Sequence, residues 1–501
     1  MNKRIFKDED LECFFDTENP FGMAKQIEGE VYRDYANRKT KKFKLGSSSY
    51  FIKYHGPVGW KEILKNLIQF KTPVIGAERE WQALLKLQSL KVGCPEPVAL
   101  MVKGWNPSNQ ESFLITKDLE ETISLEDFFI DNHHKQLSAN ERRSLLSSVA
   151  KICRTIHLNG LNHRDLYLCH FHIKNKISSA DQELSLIDLH RGQIRKKTPL
   201  RWMIKDIGGL LHSILPFGIS ETDCYRFLMV YFDCSLENLF KEKKRFIKKS
   251  RSRAFSMLMK PLLKEISISS KKQLDPDSLY SKKTGKDYRW IGKKNLLNKE
   301  ILDALKDLDS TMQTGEIVKK ERGHFIVSLN LGGKDFFIKK YQVKSILHFL
   351  RKIFSNSRAY TSWIAIHWLR SVNIRTVEPV IVYEQFNALS VTHSYLITER
   401  IEGEILSEAI KKDKKDLIIA SRIQSLFKKL RWIDFNHGDA KTSNFFFNQN
   451  NLIVFDLDAS KKQLTSKMTR LKINKDIKRI LKSTKSNESI YSLLSKRLDS
   501  K

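Results

Sequence analysis

The chain repeats itself, and nothing else limits its possible folds so tightly. Ser112-Phe113-Leu114-Ile115-Thr116 returns 282 residues later as Ser394-Tyr395-Leu396-Ile397-Thr398. Trp81 and Trp363 share that offset, as do Glu96-Pro97-Val98 and Glu378-Pro379-Val380. Tyr50-Phe51-Ile52-Lys53 matches Phe336-Phe337-Ile338-Lys339 at 286, and Asn162-His163-Arg164-Asp165 matches Asn436-His437-Gly438-Asp439 at 274. Ile187-Asp188-Leu189 matches Phe455-Asp456-Leu457 at 268, and Lys205-Asp206-Ile207 matches Lys475-Asp476-Ile477 at 270. Seven matches in one order, at slowly drifting offsets, mean two copies of one fold.

Within a copy the hydrophobic period changes along the chain. Short β-branched or aromatic runs (SSYFIKYH, SFLIT, LSLIDL) read as strands, whereas EREWQALLKLQSL and ERRSLLSSVAKICRTIHLNG carry apolar residues at helical spacing. Strands come early and helices later. That order predicts an α+β fold of two tandem bilobal domains, each a small sheet-rich lobe and a helical lobe with a ligand cleft between them. The polar stretch KKQLDPDSLYSKKTGK has connector composition, which sets the expected boundary near residue 275 and the domains at 1–274 and 275–501.

Charge narrows the partners. The chain carries 89 Lys+Arg against 57 Asp+Glu, a net +32. Residues 241–300 account for +13 of it and residues 461–501, read as a basic C-terminal tail, for +10. Such a field draws polyanions, although a solvated helical surface accounts for the two stretches equally well. No run of about 18 uncharged apolar residues exists, so a membrane-spanning helix is not expected. MNKRIFKDED mixes both charges and leads into no apolar stretch, unlike a secretion signal. Six cysteines without a CxxC pair read as reduced thiols, and the protein is expected to remain in the cytoplasm.

The repeated positions carry chemistry: a strand lysine (Lys53), an aspartate after histidine (Asp165) and an aspartate after an apolar run (Asp188). Phosphoryl transfer from a nucleotide needs a cation on the phosphates, a carboxylate to orient the hydroxyl and a carboxylate for the metal. Lys53, Glu80 before Trp81, SFLIT, HRDLYLCHF and LIDLHR follow the order of parts of protein kinases. More closely, YFIKYHGPVGWKEILKNLIQF, REWQALLKL, NHRDLYLCHF, LIDLHRGQIR and RWMIKDIGGL resemble the lipopolysaccharide core heptose kinases of the Kdo/heptose kinase family, over roughly residues 25–235. Residues 285–480 resemble the same superfamily through its skeleton alone.

The resemblance implies an enzyme that uses ATP and Mg2+ to phosphorylate an inner-core heptose hydroxyl of lipopolysaccharide. Asp165 would orient the hydroxyl, Lys53 would grip nucleotide phosphates while paired to Glu80, and Asp188 would bind the metal. His170 stands where protein kinases place a metal-binding Asn; weak metal contact, phosphate contact and packing are all open to it. No GxGxxG is present, and EGEVYRDYANRKT is expected to cover the phosphates as a glycine-poor hairpin. Asp206 is expected to begin a helix under the catalytic loop, as a cap or a bond to the loop backbone. Arg191, Arg195 and Arg201 are candidate clamps for acidic groups of the substrate.

In the second copy the corresponding residues are Lys339, Asp439, Lys441, Asn444 and Asp456, with Ser362 where copy one has Glu80. That copy is either a second kinase or a binding-only pseudokinase. The expected partners are the lipopolysaccharide inner core with lipid A, the anionic inner face of the inner membrane as a peripheral surface, and an acidic carrier protein; no specific nucleic acid is implied. Alternative acceptors are Kdo, another core sugar or a protein hydroxyl. The competing class is a non-catalytic polyanion-binding scaffold.

Overall fold

The structure, a computed structural model, describes residues 3–35, 37–69, 73–174, 183–270, 274–321, 324–342, 356–387, 391–412 and 415–498. Residues 271–273 of the connector, Phe70 and residues 499–501 thus lie outside the described residues. Contacts divide the chain into Met1–Ile214 with Thr222–Ala254, and Leu215–Glu221 with Phe255–Lys501. The division falls within the helix Lys244–Glu265, ahead of the connector. Residues after Phe255 are tied into the second unit by Trp363 Nε1, which donates to the Ile266 carbonyl, and by Lys282 Nζ, which donates to that of Ser270.

The first unit opens on an antiparallel sheet of β1 (Lys3–Phe6), β2 (Glu30–Tyr35), β3 (Arg38–Leu45), β4 (Ser48–His55), β5 (Pro97–Lys103) and β6 (Glu111–Lys117), in the order β1-β5-β6-β4-β3-β2. Strand alternation decides the orientation of β4. Tyr50, Ile52 and Tyr54 point into a core with Phe15, Phe21, Val98, Phe113 and Ile115, under the short helices Glu9–Phe14 and Pro20–Gln26. Lys53 therefore faces the opposite side. Full burial of Phe113 contributes roughly 2–3 kcal/mol to this layer. The glycine-poor stretch expected to be a hairpin is β2 and β3, paired from Glu30↔Lys42 to Tyr35↔Arg38.

The second unit holds the sheet β7 (Tyr280–Thr284), β8 (Tyr288–Lys293), β9 (Glu316–Glu321), β10 (His324–Leu331), β11 (Lys334–Gln342), β12 (Pro379–Phe386) and β13 (Val391–Glu399), in the order β7-β8-β12-β13-β11-β10-β9. Its five-strand path β12-β13-β11-β10-β9 repeats β5-β6-β4-β3-β2. The register repeats as well: Lys53 opposes Leu114 and Lys339 opposes Leu396, the third residues of SFLIT and SYLIT. Both copies also carry an irregularity just after their Pro, between Pro97 and Ala99 and between Pro379 and Ile381.

Helices complete each unit. Ala139–Leu158 starts with a capping box in which Ser138 and Glu141 satisfy each other's backbone N–H groups, worth about 1 kcal/mol, and buries Leu145, Val149, Cys153 and Ile156. The basic stretch after residue 461 is built into the second unit. Its helices Ser466–Thr484 and Glu488–Leu498 bury Ile473, Ile477, Ile480, Ile490 and Leu494 and leave their lysines outside.

Candidate active site

Lys53 reaches from β4 to the helix Glu78–Ser89, where its Nζ lies 2.5 Å from Glu80 Oε1. The helix buries Glu80 with Trp81, Leu84 and Leu87 at the spacing of one face. Asp188 follows the strand Leu184–Leu186, and its Oδ1 is 3.6 Å from the same ammonium. Burial alone would lower the Lys53 pKa, but Glu80 and Asp188 outweigh it and hold it above its ordinary value. Burial would likewise raise Asp188; Lys53, the His190 Nδ1–H that donates to its Oδ1 at 2.6 Å, and His170 hold it well below the carboxylate range. Lys53, Glu80 and Asp188 line one cavity of about 960 Å³, with Arg38, Asp118 and His170 among its other walls.

Asp165 lies on the loop that follows the helix Ala139–Leu158. Its carboxylate accepts two bonds from Arg191 Nη1, at 2.8 and 2.9 Å. The loop is held from below by Asp206, fully buried, which accepts from the backbone N–H of His163 (2.8 Å) and Arg164 (2.9 Å) and from His157 Nε2 (3.1 Å). His163 Nε2 in turn donates to the Ile187 carbonyl, which ties the loop to the residue before Asp188. Asp206 does not begin a helix, as the sequence suggested; it lies in mid-course of Leu200–Ile214, because the first turn already closes on the Pro199 carbonyl, which accepts from the N–H groups of Trp202 and Met203.

His170 now has a defined place. Its Nδ1–H donates to the Asp165 carbonyl at 2.6 Å, its ring stacks on His163, and its Nε2 faces Asp188 Oδ2 at 3.6 Å. In copy two Asn444 Nδ2 makes the same bond to the Asp439 carbonyl at 2.8 Å and a second one to Asp439 Oδ2 at 3.1 Å. The imidazole thus stands in for the amide as a brace of the loop. As a donor set for Mg2+, Asp188 offers the hard oxygen that ion prefers and His170 a softer nitrogen beside it. Among the described residues no group of three or more His, Cys, Asp or Glu gathers as a metal cage. An ion at Asp188 would therefore take most of its ligands from phosphate and water, as Mg2+ commonly does.

The second copy reproduces the frame and changes the charges. Asp476 accepts from the Gly438 N–H at 3.0 Å, and His437 donates to the Phe455 carbonyl at 3.2 Å. Asp439 is contacted by Lys441 Nζ at 3.1 Å. Without Glu80's counterpart, Lys339 moves onto the strand-end carboxylate, 2.5 Å from Asp456 Oδ1 and 3.8 Å from Asp458 Oδ2. Arg358 takes Asp458 at 2.6 Å. Burial and Asp456 raise the Asp458 pKa against the pull of Lys339 and Arg358.

The structure brings together Lys53, Glu80, Asp188 and His170, and in copy two Lys339 with Asp456 and Lys441 with Asp439 and Asn444. Arg191 grips Asp165 itself, and Arg195 donates to Asn162 Oδ1 at 2.5 Å. Two participants escaped the sequence reading. His190 sits two residues after Asp188, where copy two has Asp458, and comparing the copies at that position would have exposed it. Trp202 is enclosed by cations drawn from three separate segments, which no local pattern reveals.

A strand lysine paired to a helix glutamate and to a strand-end carboxylate, with a second carboxylate braced on a loop, defines a phosphotransferase of the protein-kinase-like class. The sequence profile of the lipopolysaccharide kinase (Kdo/WaaP) family matches residues 23–231 and again 300–495. The chain therefore belongs to that family, and its second copy matches the family profile itself, where only a shared skeleton was expected.

Among relatives, a lipopolysaccharide core heptose(I) kinase WaaP of Escherichia coli is 38% identical over 250 residues, 50% of this chain and 94% of that protein. The Pseudomonas aeruginosa protein of the same name is 37% identical over 242 residues, 48% of this chain and 90% of that one. A solved structure described as WaaP in complex with acyl carrier protein is 31% identical, covers 50% of this chain and 98% of that chain, and superposes with a TM-score of 0.44.

Proposed function

We propose that this chain phosphorylates a heptose hydroxyl of the lipopolysaccharide inner core at the expense of ATP, with Mg2+ as cofactor, and that copy one does the chemistry. The sequence expectation of working domains at 1–274 and 275–501 is kept as part of this reading. The observation that carries it is the convergence of Lys53, Glu80 and Asp188 on one cavity beside the Asp165 loop.

Lys53 grips nucleotide phosphates, positioned by Glu80. Asp188 with His170 would hold Mg2+, which when bound neutralises charge on the phosphates. Asp165 accepts the proton of the sugar hydroxyl as its oxygen bonds to the γ-phosphorus and ADP departs. Arg191 restrains the carboxylate and must yield one oxygen to the incoming hydroxyl. In copy two, Lys339 held on Asp456 is drawn away from nucleotide phosphate, which supports a pseudokinase role without turnover.

A peripheral place on an anionic membrane, with lipid A as part of the substrate, is supported by the helix Trp60–Ile68. Trp60, Leu64 and Leu67 are each 53% exposed and Ile68 77%, on one face beside Lys61 and Lys65. Among the described residues no helix is long and apolar enough to cross a membrane. An acidic carrier protein remains a proposed partner on the basis of the net +32.

Transfer of labelled phosphate from ATP to a heptose-containing core tests the reading in the full chain. Asp165→Ala should cut labelling by about 10²–10⁴-fold and Asp439→Ala by less than about twofold. Undiminished labelling by Asp165→Ala would defeat it.

A further inference from the structure

Beside Asp165, four cations surround one indole. Lys205 Nζ lies 4.2 Å from the Trp202 ring centroid, and the guanidinium carbons of Arg164, Arg201 and Arg195 lie at 5.1, 5.3 and 5.6 Å. None of the five lines the cavity of Lys53 and Asp188. Among the described residues none of Arg164, Arg201 and Lys205 is ion-paired to a carboxylate, and the Asp165 carboxylate beside them is taken by Arg191. Arg164 Nη1 and Trp202 Nε1 are both buried donors without an acceptor among the described residues.

Like charges so gathered repel. Arg164, Arg195 and Lys205 all have pKa values below the ordinary, through burial first and neighbouring cations next. Arg164 also adopts a left-handed backbone, φ 75°, which an arginine rarely takes. Copy two has Gly438 there at φ 90°, and a Cβ would lie 2.1 Å from the Ala459 carbonyl oxygen. Its matched positions for Trp202 and Arg195 hold Lys472 and Gln463. Gln463 still braces Asn436, so the loop needs no arginine for its shape. Next to the cluster, a hollow of about 450 Å³ opens between Arg79 and Gln82 on one side and Gly192–Arg195 on the other.

We infer that the Trp202 cluster is an oxyanion cradle for the acceptor, in which Arg164, Arg201 and Lys205 bind a phosphate or carboxylate group of the saccharide and so present its hydroxyl to Asp165. The adjoining hollow takes the neighbouring sugar. This rests on the kinase reading and adds which group of the acceptor is held. It also separates the copies, because only the first has a cradle.

The test uses the full chain carrying Arg201→Gln with Lys205→Gln, both at exposed positions. KM for a heptose-containing lipopolysaccharide core should rise about 10- to 100-fold, the equivalent of about one charge-assisted bond, while kcat and KM for ATP stay within about twofold. An unchanged acceptor KM overturns the cradle. With phosphatase-treated core, loss of the difference between wild type and variant identifies phosphate as the group held, and its persistence identifies carboxylate.

A second readout needs no turnover. Titration with inorganic pyrophosphate at saturating ADP should quench Trp202 fluorescence, taken as wild type minus Trp202→Phe, and the double variant should abolish the quench. Absence of that signal in an enzyme that phosphorylates the core refutes the cradle alone. A normal signal in a chain that phosphorylates nothing refutes the kinase reading alone.

Discussion

Replacing Glu80 by Gln removes one charge from a side chain only 2% exposed, and copy two already displays the outcome. With Ser362 in that place, the lysine lies 2.5 Å from the strand-end aspartate, where copy one keeps 3.6 Å. At an effective dielectric near 20, a pair at 2.5 Å is worth roughly 6–7 kcal/mol and one at 3.6 Å roughly 4–5, so Lys53 recovers about 2 kcal/mol by moving onto Asp188. The ammonium is never stranded, and the amide that replaces the carboxylate is neutral, so no uncompensated charge stays buried. Loss of the roughly 6–7 kcal/mol attraction to Glu80 is offset by that recovery and by the several kcal/mol of desolvation that a buried carboxylate costs and a neutral amide does not. Stability should therefore fall by only about 1–2 kcal/mol, short of the roughly 3–5 kcal/mol expected when a buried ion loses its only partner.

The larger effect should fall on the nucleotide. A lysine neutralised by Asp188 gives up charge-assisted bonds to phosphate worth about 1.5–3 kcal/mol, or about 10- to 100-fold in kcat/KM for ATP. Steady-state ADP release and thermal unfolding measure the two quantities on the same preparation. A variant with kcat/KM within about threefold of wild type, or one that unfolds as though a bare ammonium were buried, refutes the idea that Glu80 serves to keep Lys53 off Asp188.

Acid should loosen both units through His55 and His367, each 5% exposed and each lowered to about 3, by burial first and then by Arg38 and Lys293 respectively. Both stay neutral when folded but take a proton when unfolded below about pH 6.5, so stability is lost as pH falls through that value. At pH 5 each costs about 2 kcal/mol, and His55→Asn should flatten the fall in midpoint temperature from pH 7 to 5. His170→Asn should leave the unfolding midpoint within about 2 °C, since Asn444 makes the matching bond; a drop like that of His170→Ala would show that the imidazole does more than brace the loop. Trp60→Gln with Leu64→Gln should weaken sedimentation with anionic vesicles by more than about tenfold, and unaltered binding would remove that helix from the membrane account.

The pleated frame was legible because period-2 runs such as SSYFIKYH and SFLIT are short, apolar and bounded by polar turns. Lys53, Glu80, Asp165 and Asp188 were legible because each sits in a motif that duplication preserved or, for Glu80, beside one. The helix containing Asp206 was misjudged at its start, since its first turn closes on the Pro199 carbonyl, which accepts from the N–H groups of Trp202 and Met203, and a proline offers no side-chain cap to read. Arg191's grip on Asp165 and the gathering at Trp202 depend on how separate loops fold back together, which adjacent residues do not encode. The tight pairing of Lys339 with Asp456 follows from a missing neighbour, and a linear pattern is a poor detector of absences.

The strand register and the irregularity after Pro97 and Pro379 are the same in both halves, although the spacing between matched motifs shrinks from 286 to 268 residues. Differences of length between the halves thus lie outside these matched strands, in the helices and loops that connect them. Those loops are natural seams for domain engineering: segments exchanged between the halves at these joints should transplant acceptor preference without disturbing the nucleotide frame.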